Sequence, residues 1–204
     1  MRRILLPGAD GVEPYPLLNS LVVPRPIAWV STVSADGVGN LAPHSFFNVA
    51  CANPPMVVFS SVGEKDTLRN IRATREFVVN IAPQHLLHAI NNSSASFDAA
   101  DDEALALGIT MEDSETVRPK RVADSPAAME CVLHSAIQLG DSTLIIGRVT
   151  AFAIDPDVMD GDHPTMAGLA PMSRLGINEW GLPPQVIALD RPGDPSTIKE
   201  ASRS

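Results

Sequence analysis

Residues 24–82 read PRPIAWVSTVSADGVGNLAPHSFFNVACANPPMVVFSSVGEKDTLRNIRATREFVVNIA, and the fold turns on how this stretch divides. It holds three apolar, β-branched runs, two tight turns and one short amphipathic segment. Ile27 to Val33 predicts a strand, Ser34-Ala35-Asp36-Gly37 a turn, and Val38 to Ala50 the antiparallel return strand of a β-hairpin. Met56 to Ser61 predicts the next strand, set off by Asn53-Pro54-Pro55, whose prolines have no amide to give a ladder. Leu68 and Ile71, three residues apart, mark the apolar face of a helix capped by Asp66 or Thr67.

A helix start exposes unpaired N–H groups and a partial positive charge, and around this one stand Ser60, Ser61, Gly63, Lys65 and Thr67. That combination suits a phosphate. The same residue types also serve as ordinary caps and solvated loop side chains, and the segment does not match the Gly-x-x-x-x-Gly-Lys-Ser/Thr loop. Composition alone leaves both readings open.

Working outward, the 204 residues suit one domain, and 45% hydrophobic residues can build a core of ordinary size. The 18 prolines exceed the usual share of about 5% and recur between apolar runs, as many short strands separated by turns require. A formal charge of −9, with six Phe, two Trp and one Tyr, argues against nucleic acid, which asks for a basic face and stacking aromatics. No segment approaches ~18 consecutive apolar residues, and the N-terminal MRRILLPGADG is too short in apolar length for a signal-peptide core. The expectation is a soluble, cytoplasmic chain that binds neither nucleic acid nor membrane.

Cys51 and Cys131 belong to no Cys-x-x-Cys pair and read as buried, reduced thiols. After Pro83, Gln84 to Asn91 predicts a helix that buries Leu86, Leu87 and Ile90. His85 and His88 within it lack a carboxylate motif that would make them metal ligands. Asn91 to Ala100 is a polar loop, and Asp101 to Leu107 a short helix ended by Gly108. Met111 to Pro126 is a charged connection without periodicity. Met129 to Leu139 and Thr143 to Ile154 predict two long strands joined by Gly140-Asp141-Ser142, completing a barrel. Asp155 to Asp162 resembles a calcium loop in composition only, without its ligand spacing or closing glutamate.

The run from Tyr15 through FVVNIA, together with SPAAMECVLHSAIQLGDSTLIIGRVTAF and PMSRLGINEW, resembles the flavin-reductase-like family of FMN-binding split β-barrels, which includes flavoredoxin-type proteins. The resemblance spans Tyr15 to Trp180. It implies a mainly β fold with a few short helices, divided into an N-terminal segment 1–14, a split-barrel domain 15–180 and a tail 181–204 with a poorly ordered polar end.

The resemblance also implies a site. Ser31, Thr32 and Val33 would meet the flavin edge or ribityl chain. Ala42, Ser45, Phe46, Phe47 and Asn48 would line the ring, and Ser60, Lys65, Asp66 and Thr67 would surround the phosphate. Arg174 and Gly176 belong to a late Arg-Leu-Gly segment lying against the flavin. Trp180 stands where the family commonly has tyrosine, and Ile177 where it often has a second glycine. His44 is a candidate for approaching the flavin or nicotinamide, and Ser93, Ser94 and Phe97 are further candidates at the flavin entrance.

No nucleophile–base pair stands out, and hydride transfer needs none, because the reacting atoms belong to nicotinamide and flavin. The implied activity is an NAD(P)H-dependent flavin reductase, with NADH or NADPH bound transiently, since no Gly-x-Gly-x-x-Gly fingerprint is present. A homodimer and a flavin-dependent oxygenase or other electron acceptor are the implied partners. Two other readings stay open: a non-enzymatic FMN electron carrier, and a split-barrel protein that binds haem or a deazaflavin.

Overall fold

The computed structural model describes residues 1–191. Helix α1 (Pro14–Leu21) leads into strands β1 (Arg25–Pro26), β2 (Ala28–Val33), β3 (Gly39–His44), β4 (Phe47–Cys51) and β5 (Met56–Val62). Helix α2 (Asp66–Thr74), β6 (Glu76–Ile81), α3 (Leu87–Asn92) and α4 (Glu103–Ala106) follow. A small hairpin, β7 (Met111–Glu112) with β8 (Arg121–Val122), precedes the two longest strands, β9 (Ala127–Leu139) and β10 (Ser142–Ile154). The chain then forms β11 (Met159–Asp160), β12 (His163–Pro164), α5 (Met166–Leu169), β13 (Ser173–Arg174) and β14 (Trp180–Gly181). The polar end of the expected tail, 192–204, lies outside the described residues.

Seven strands form one antiparallel sheet in the order β3-β2-β6-β9-β10-β5-β4. Its two outer strands, β3 and β4, are joined in the chain by Ser45 and Phe46 alone, so the sheet must curl until its ends stand side by side. They do not pair with each other. Phe46 extends the β4–β5 ladder by one rung, its carbonyl accepting from the Ser60 amide at 2.9 Å. This is a split barrel.

The expected return strand Val38–Ala50 is therefore corrected: Gly39–His44 pairs with β2, the chain breaks at Ser45-Phe46, and Phe47–Cys51 pairs with β5. Apolar alternation runs unbroken through that break, and only long-range closure interrupts it. Two helix ends also differ from expectation. Lys65, not Asp66 or Thr67, is the N-cap of α2, and it makes no side-chain cap. The stretch from Gln84 opens as a 3₁₀ turn to Leu86 before α3 begins.

Alternate residues of β5 and β6, Val57, Phe59, Phe77 and Val79, point into the barrel with Val30, Leu133, Ile145 and Val149. Leu68 and Ile71 of α2 join this cluster. Phe59 and Phe77 meet edge to face, with ring centroids 5.6 Å apart. Gly147 makes room for that packing, because a Cβ there would lie 2.2 Å from Phe77 Cζ. The outer face of β2 is covered as well: Ile27, Trp29 and Leu41 pack with Ile90 of α3 and Ala104 of α4. Burial on both faces explains why AWVSTV shows no apolar-polar alternation.

The charged connection 111–126 is tied to the barrel by Glu130, which is wholly buried in β9. Its carboxylate accepts from the Glu115 and Thr116 amides, from Thr116 Oγ1 and from Arg121 Nη1. Burial alone would raise its pKa, but these donors outweigh burial and hold it below the usual value. Cys131 is buried as expected, with its thiol pushed up to about 12 by burial, whereas Cys51 is half-buried. Among the described residues no helix is long and apolar enough to cross a membrane, and no cluster of His, Cys, Asp or Glu could hold a metal.

Candidate functional site

The seam of the barrel is also the floor of a groove. Three depressions of about 260, 290 and 390 Å³ adjoin along it; the first two share Pro43 and Ser94, and the second and third share Ser45. Together they use every residue from Ala42 to Asn48, because the backbone crossing from β3 to β4 runs along their base.

The first depression lies at the start of α2. It is lined there by Glu64, Lys65, Asp66, Thr67 and Arg69, two cations set among carboxylates, with Asn40 and Glu103 beside them. Lacking a side-chain cap, the first-turn amides of α2 remain available to an anion. Lys65 and Arg69 are exposed, and Arg69 also pairs with Asp66. Thr67 is buried, and its Oγ1 accepts from Asn40 Nδ2 at 3.1 Å and lies 3.4 Å from His44 Nε2.

His44 is buried against Phe59, with ring centroids 4.8 Å apart. Burial and then the charge of Lys65 lower its pKa to about 4, against the opposing effect of a hydrogen bond to the Ser60 backbone. It is therefore neutral at pH 7 and buttresses Thr67. Glu103 accepts the Leu41 amide at 2.9 Å, and burial raises its pKa despite that bond.

The second depression holds Tyr15, Ile27, Asn91, Arg174 and Trp180 around Pro43, Ser45 and Ser94. The Arg174 guanidinium lies over the Trp180 ring, 4.8 Å from its centroid, and donates to the Ile177 carbonyl at 2.9 Å. The third depression is mostly apolar, with Leu18, Val22, Phe46, Phe47, Val58 and Leu144, and it carries Asn48 and Arg25. Asn48 Oδ1 accepts the Val49 amide at 2.8 Å, which leaves the Asn48 NH₂ group to donate.

The groove thus gathers Ala42, His44, Ser45, Phe46, Phe47, Asn48, Lys65, Asp66, Thr67, Arg174 and Trp180 from the sequence reading, with Ser93, Ser94 and Phe97 from the polar loop. Other expected residues stand elsewhere. Ser31 is buried, donating to the Lys120 carbonyl at 2.6 Å, and with Val33 it lines a separate depression on the far side of β3. Thr32 lines that depression too and reaches the first depression only through Asn40, which donates to both Thr32 and Thr67.

Ser60 takes part through its backbone at the seam. Ser93 lines the first depression, but its hydroxyl is spent, accepting from the Trp29 indole at 2.9 Å and donating to the Ile90 carbonyl. Gly176 lies outside the groove, where its missing side chain admits Ser20 of α1. Sequence reasoning missed Arg25, Asn40, Arg69, Asn91 and Glu103. Arg25 sits between two prolines and reads as part of a turn, and Glu103 shows only as a member of a short helix.

A family model described as flavin reductase like domain matches residues 20–167. An uncharacterized protein of Halalkalibacterium halodurans is 38% identical over 193 residues, covering 88% of this chain and 91% of its own. The crystal structure of nitrilotriacetate monooxygenase component B from Bacillus cereus superposes with a TM-score of 0.87 at 33% identity, over 93% of this chain and 98% of that one. That of 2-nitrobenzoate 2-nitroreductase from Pseudomonas fluorescens gives 0.86 at 28% identity, over 94% and 97%.

Proposed function

The chain belongs to the flavin reductase-like family, and from that premise we propose that it binds FMN along the seam groove and works as an NAD(P)H-dependent flavin reductase. The observation that carries this reading is the continuity of the groove. One end offers cations and free helix amides for a phosphate, and the backbone of the Ala42–Asn48 crossing underlies the rest.

In this arrangement Lys65, Arg69 and the α2 amides hold the phosphate, while Asn40, Glu103 and Ser94 face the ribityl chain. Pro43, Ser45, Phe46, Asn48 and Trp180 frame the ring. Bound FMN supplies a ring that accepts and releases hydride. The protein's part is position and electrostatics. Neutral, buried His44 keeps Thr67 and Asn40 in place and carries no proton to the reaction. NADH or NADPH would enter from the open side of the groove and leave after transfer.

A second copy of the chain would cover the apolar third depression and the exposed Leu18, Leu21 and Val22 beside it, giving a homodimer. Reduced flavin would then pass to an oxygenase or another electron acceptor in the cytoplasm. The relative from Bacillus cereus is the B component of a monooxygenase, which supports such a division of labour.

The test is an absorption spectrum of purified protein with FMN supplied, followed anaerobically as NADH or NADPH is added. Rapid bleaching of the flavin bands by either nucleotide supports the reductase and identifies its donor. Bound flavin that stays oxidised makes the protein a carrier, and failure to bind FMN removes the proposal.

A further inference from the structure

We infer that the open edge at the end of β10 is closed by a second copy of this chain, whose residues 1–6 add there as an extra strand. β10 has 13 residues, but β5 pairs only with its first part, from Ser142 to Arg148. The Val149 amide still reaches the Pro55 carbonyl at 2.9 Å. Beyond it, among the described residues, residues 150–154 make no backbone hydrogen bond on the β5 side. A bulge between Val149 and Ala151 bends the strand where β5 leaves it. The edge left open reads Thr150-Ala151-Phe152-Ala153-Ile154, with neither charge nor proline to refuse an added strand, and Phe152 is 60% exposed beside it.

A depression of about 510 Å³ opens along the same edge. It is lined by the small side chains of Ala128, Ala151 and Ala153 on the β9–β10 ladder and by Glu112, Glu115 and Asp155. Arg121, its one basic lining residue, is already paired with Glu112 and Glu130. Among the described residues Glu115 and Asp155 have no ion pair. The edge therefore suits an extended segment that is both apolar and cationic.

Residues 1–6, Met-Arg-Arg-Ile-Leu-Leu, have that chemistry. Ile4 and Leu6 are exposed, and the backbone of this segment makes a single hydrogen bond among the described residues, from the Ala9 amide to the Leu6 carbonyl. Neither Arg2 nor Arg3 has an ion pair there. In an extended segment Arg3 and Leu5 share one side, and Ile4 and Leu6 the other. Leu5 would lie over the alanines with Arg3 toward Glu115, while Ile4 and Leu6 would cover Phe152.

A second copy is the source because of where the segment leads. It runs into α1, whose Leu18 and Val22 line the apolar depression that the proposed homodimer covers, and Leu144 of β10 lines that depression too. From Leu144 to Thr150 the strand advances about 20 Å. Residues 1–13 reach up to about 40 Å when extended. The inference rests on the homodimer reading for the approach of the two copies and adds to it the strand that each segment joins.

Sedimentation velocity over a concentration series gives the dimer Kd, and amide hydrogen exchange reads the edge itself; neither readout uses flavin. Outward-facing amides of residues 150–154 should be protected in the dimer. They should exchange at least tenfold faster on dilution to monomer, or when residues 2–6 are deleted. Arg3→Glu should raise the dimer Kd about tenfold, because an exposed ion pair is worth about threefold and a twofold dimer holds two. Adding Glu115→Arg to that variant should restore most of the affinity, which a mere folding defect would not allow.

A dimer whose Kd and edge exchange ignore both the deletion and Arg3→Glu would overturn the added strand and leave the homodimer standing. Protection that persists in the monomer would overturn it as well, by placing the segment on its own barrel. A chain that stays monomeric throughout the series would remove the homodimer and the added strand together.

Discussion

Removing the exposed cations at the start of α2 should separate the phosphate from the rest of FMN. A phosphate monoester carries about −1.5 to −2 charges at pH 7. A unit pair at ~4 Å is worth about 1 kcal/mol in water and about 4 kcal/mol in a surface-like dielectric. Lys65 is exposed, so Lys65→Ala should fall near the lower limit, about 1 kcal/mol, or roughly fivefold in Kd. Arg69→Ala should cost more, because it removes a second cation and also frees the Asp66 carboxylate that Arg69 now holds beside the site.

The double variant should lose about 2–3 kcal/mol, roughly 30- to 150-fold. Riboflavin, which has no phosphate, should change less than twofold. Thr67 is unsuitable for the test, since its buried hydroxyl also serves Asn40 and His44. Fluorescence titrations of FMN and riboflavin at low and high salt provide the measurement, and the FMN loss should shrink as salt rises. Equal losses for the two ligands, or a salt-independent FMN loss, would refute the phosphate assignment.

Three further outcomes follow from the packing. With the His44 pKa near 4 in the fold and 6.5 when unfolded, its contribution is complete above pH 6.5 and is lost as pH falls toward 4. Denaturant stability should fall by about 2 kcal/mol from this group between pH 7.5 and 5, and an imidazole NMR titration with a midpoint near 6.5 would contradict the burial argument. Gly147→Ala forces a methyl group against Phe77 and should cost about 1–3 kcal/mol in equilibrium unfolding; unchanged stability would mean that Phe77 can move aside. Ile177 holds a left-handed backbone, φ 51°, with its side chain in solvent, so Ile177→Gly should gain about 0.5–1 kcal/mol, a rise in Tm of roughly 2 °C. A fall in Tm would show that the isoleucine makes a stabilising contact.

Much of this arrangement was legible in the sequence. The strands around Val30, Phe59 and Val79 follow from β-branched runs bounded by turn residues, and Leu68 with Ile71 gives the buried face of α2. The residues crowded around Lys65 are legible because they are close in the chain. Long-range closure is not: nothing local marks Ser45-Phe46 as the point where one strand ends and another begins, because the break arises from curling of the whole sheet.

The same limit hid other parts of the groove. Glu103 meets Leu41 only after α4 docks, and the pairing of Arg25 with Arg174 spans 149 positions and two separate turns. Ser31 illustrates the opposite error. A hydroxyl on an apolar strand suggests a ligand contact, but here it satisfies the Lys120 carbonyl of the connection that covers it.

The contact between Glu103 and Leu41 also bears on self-association. A strand at the end of a sheet normally offers a row of free amides on which another chain can add as a new strand. On β3 the Leu41 amide is occupied by a buried carboxylate, and Pro43 has no amide at all. An incoming strand would therefore find no donor at either position. The opening of the barrel can stay accessible to a small molecule while refusing the polymerisation that an unprotected edge invites, and loss of the Glu103 carboxylate would be felt first as aggregation.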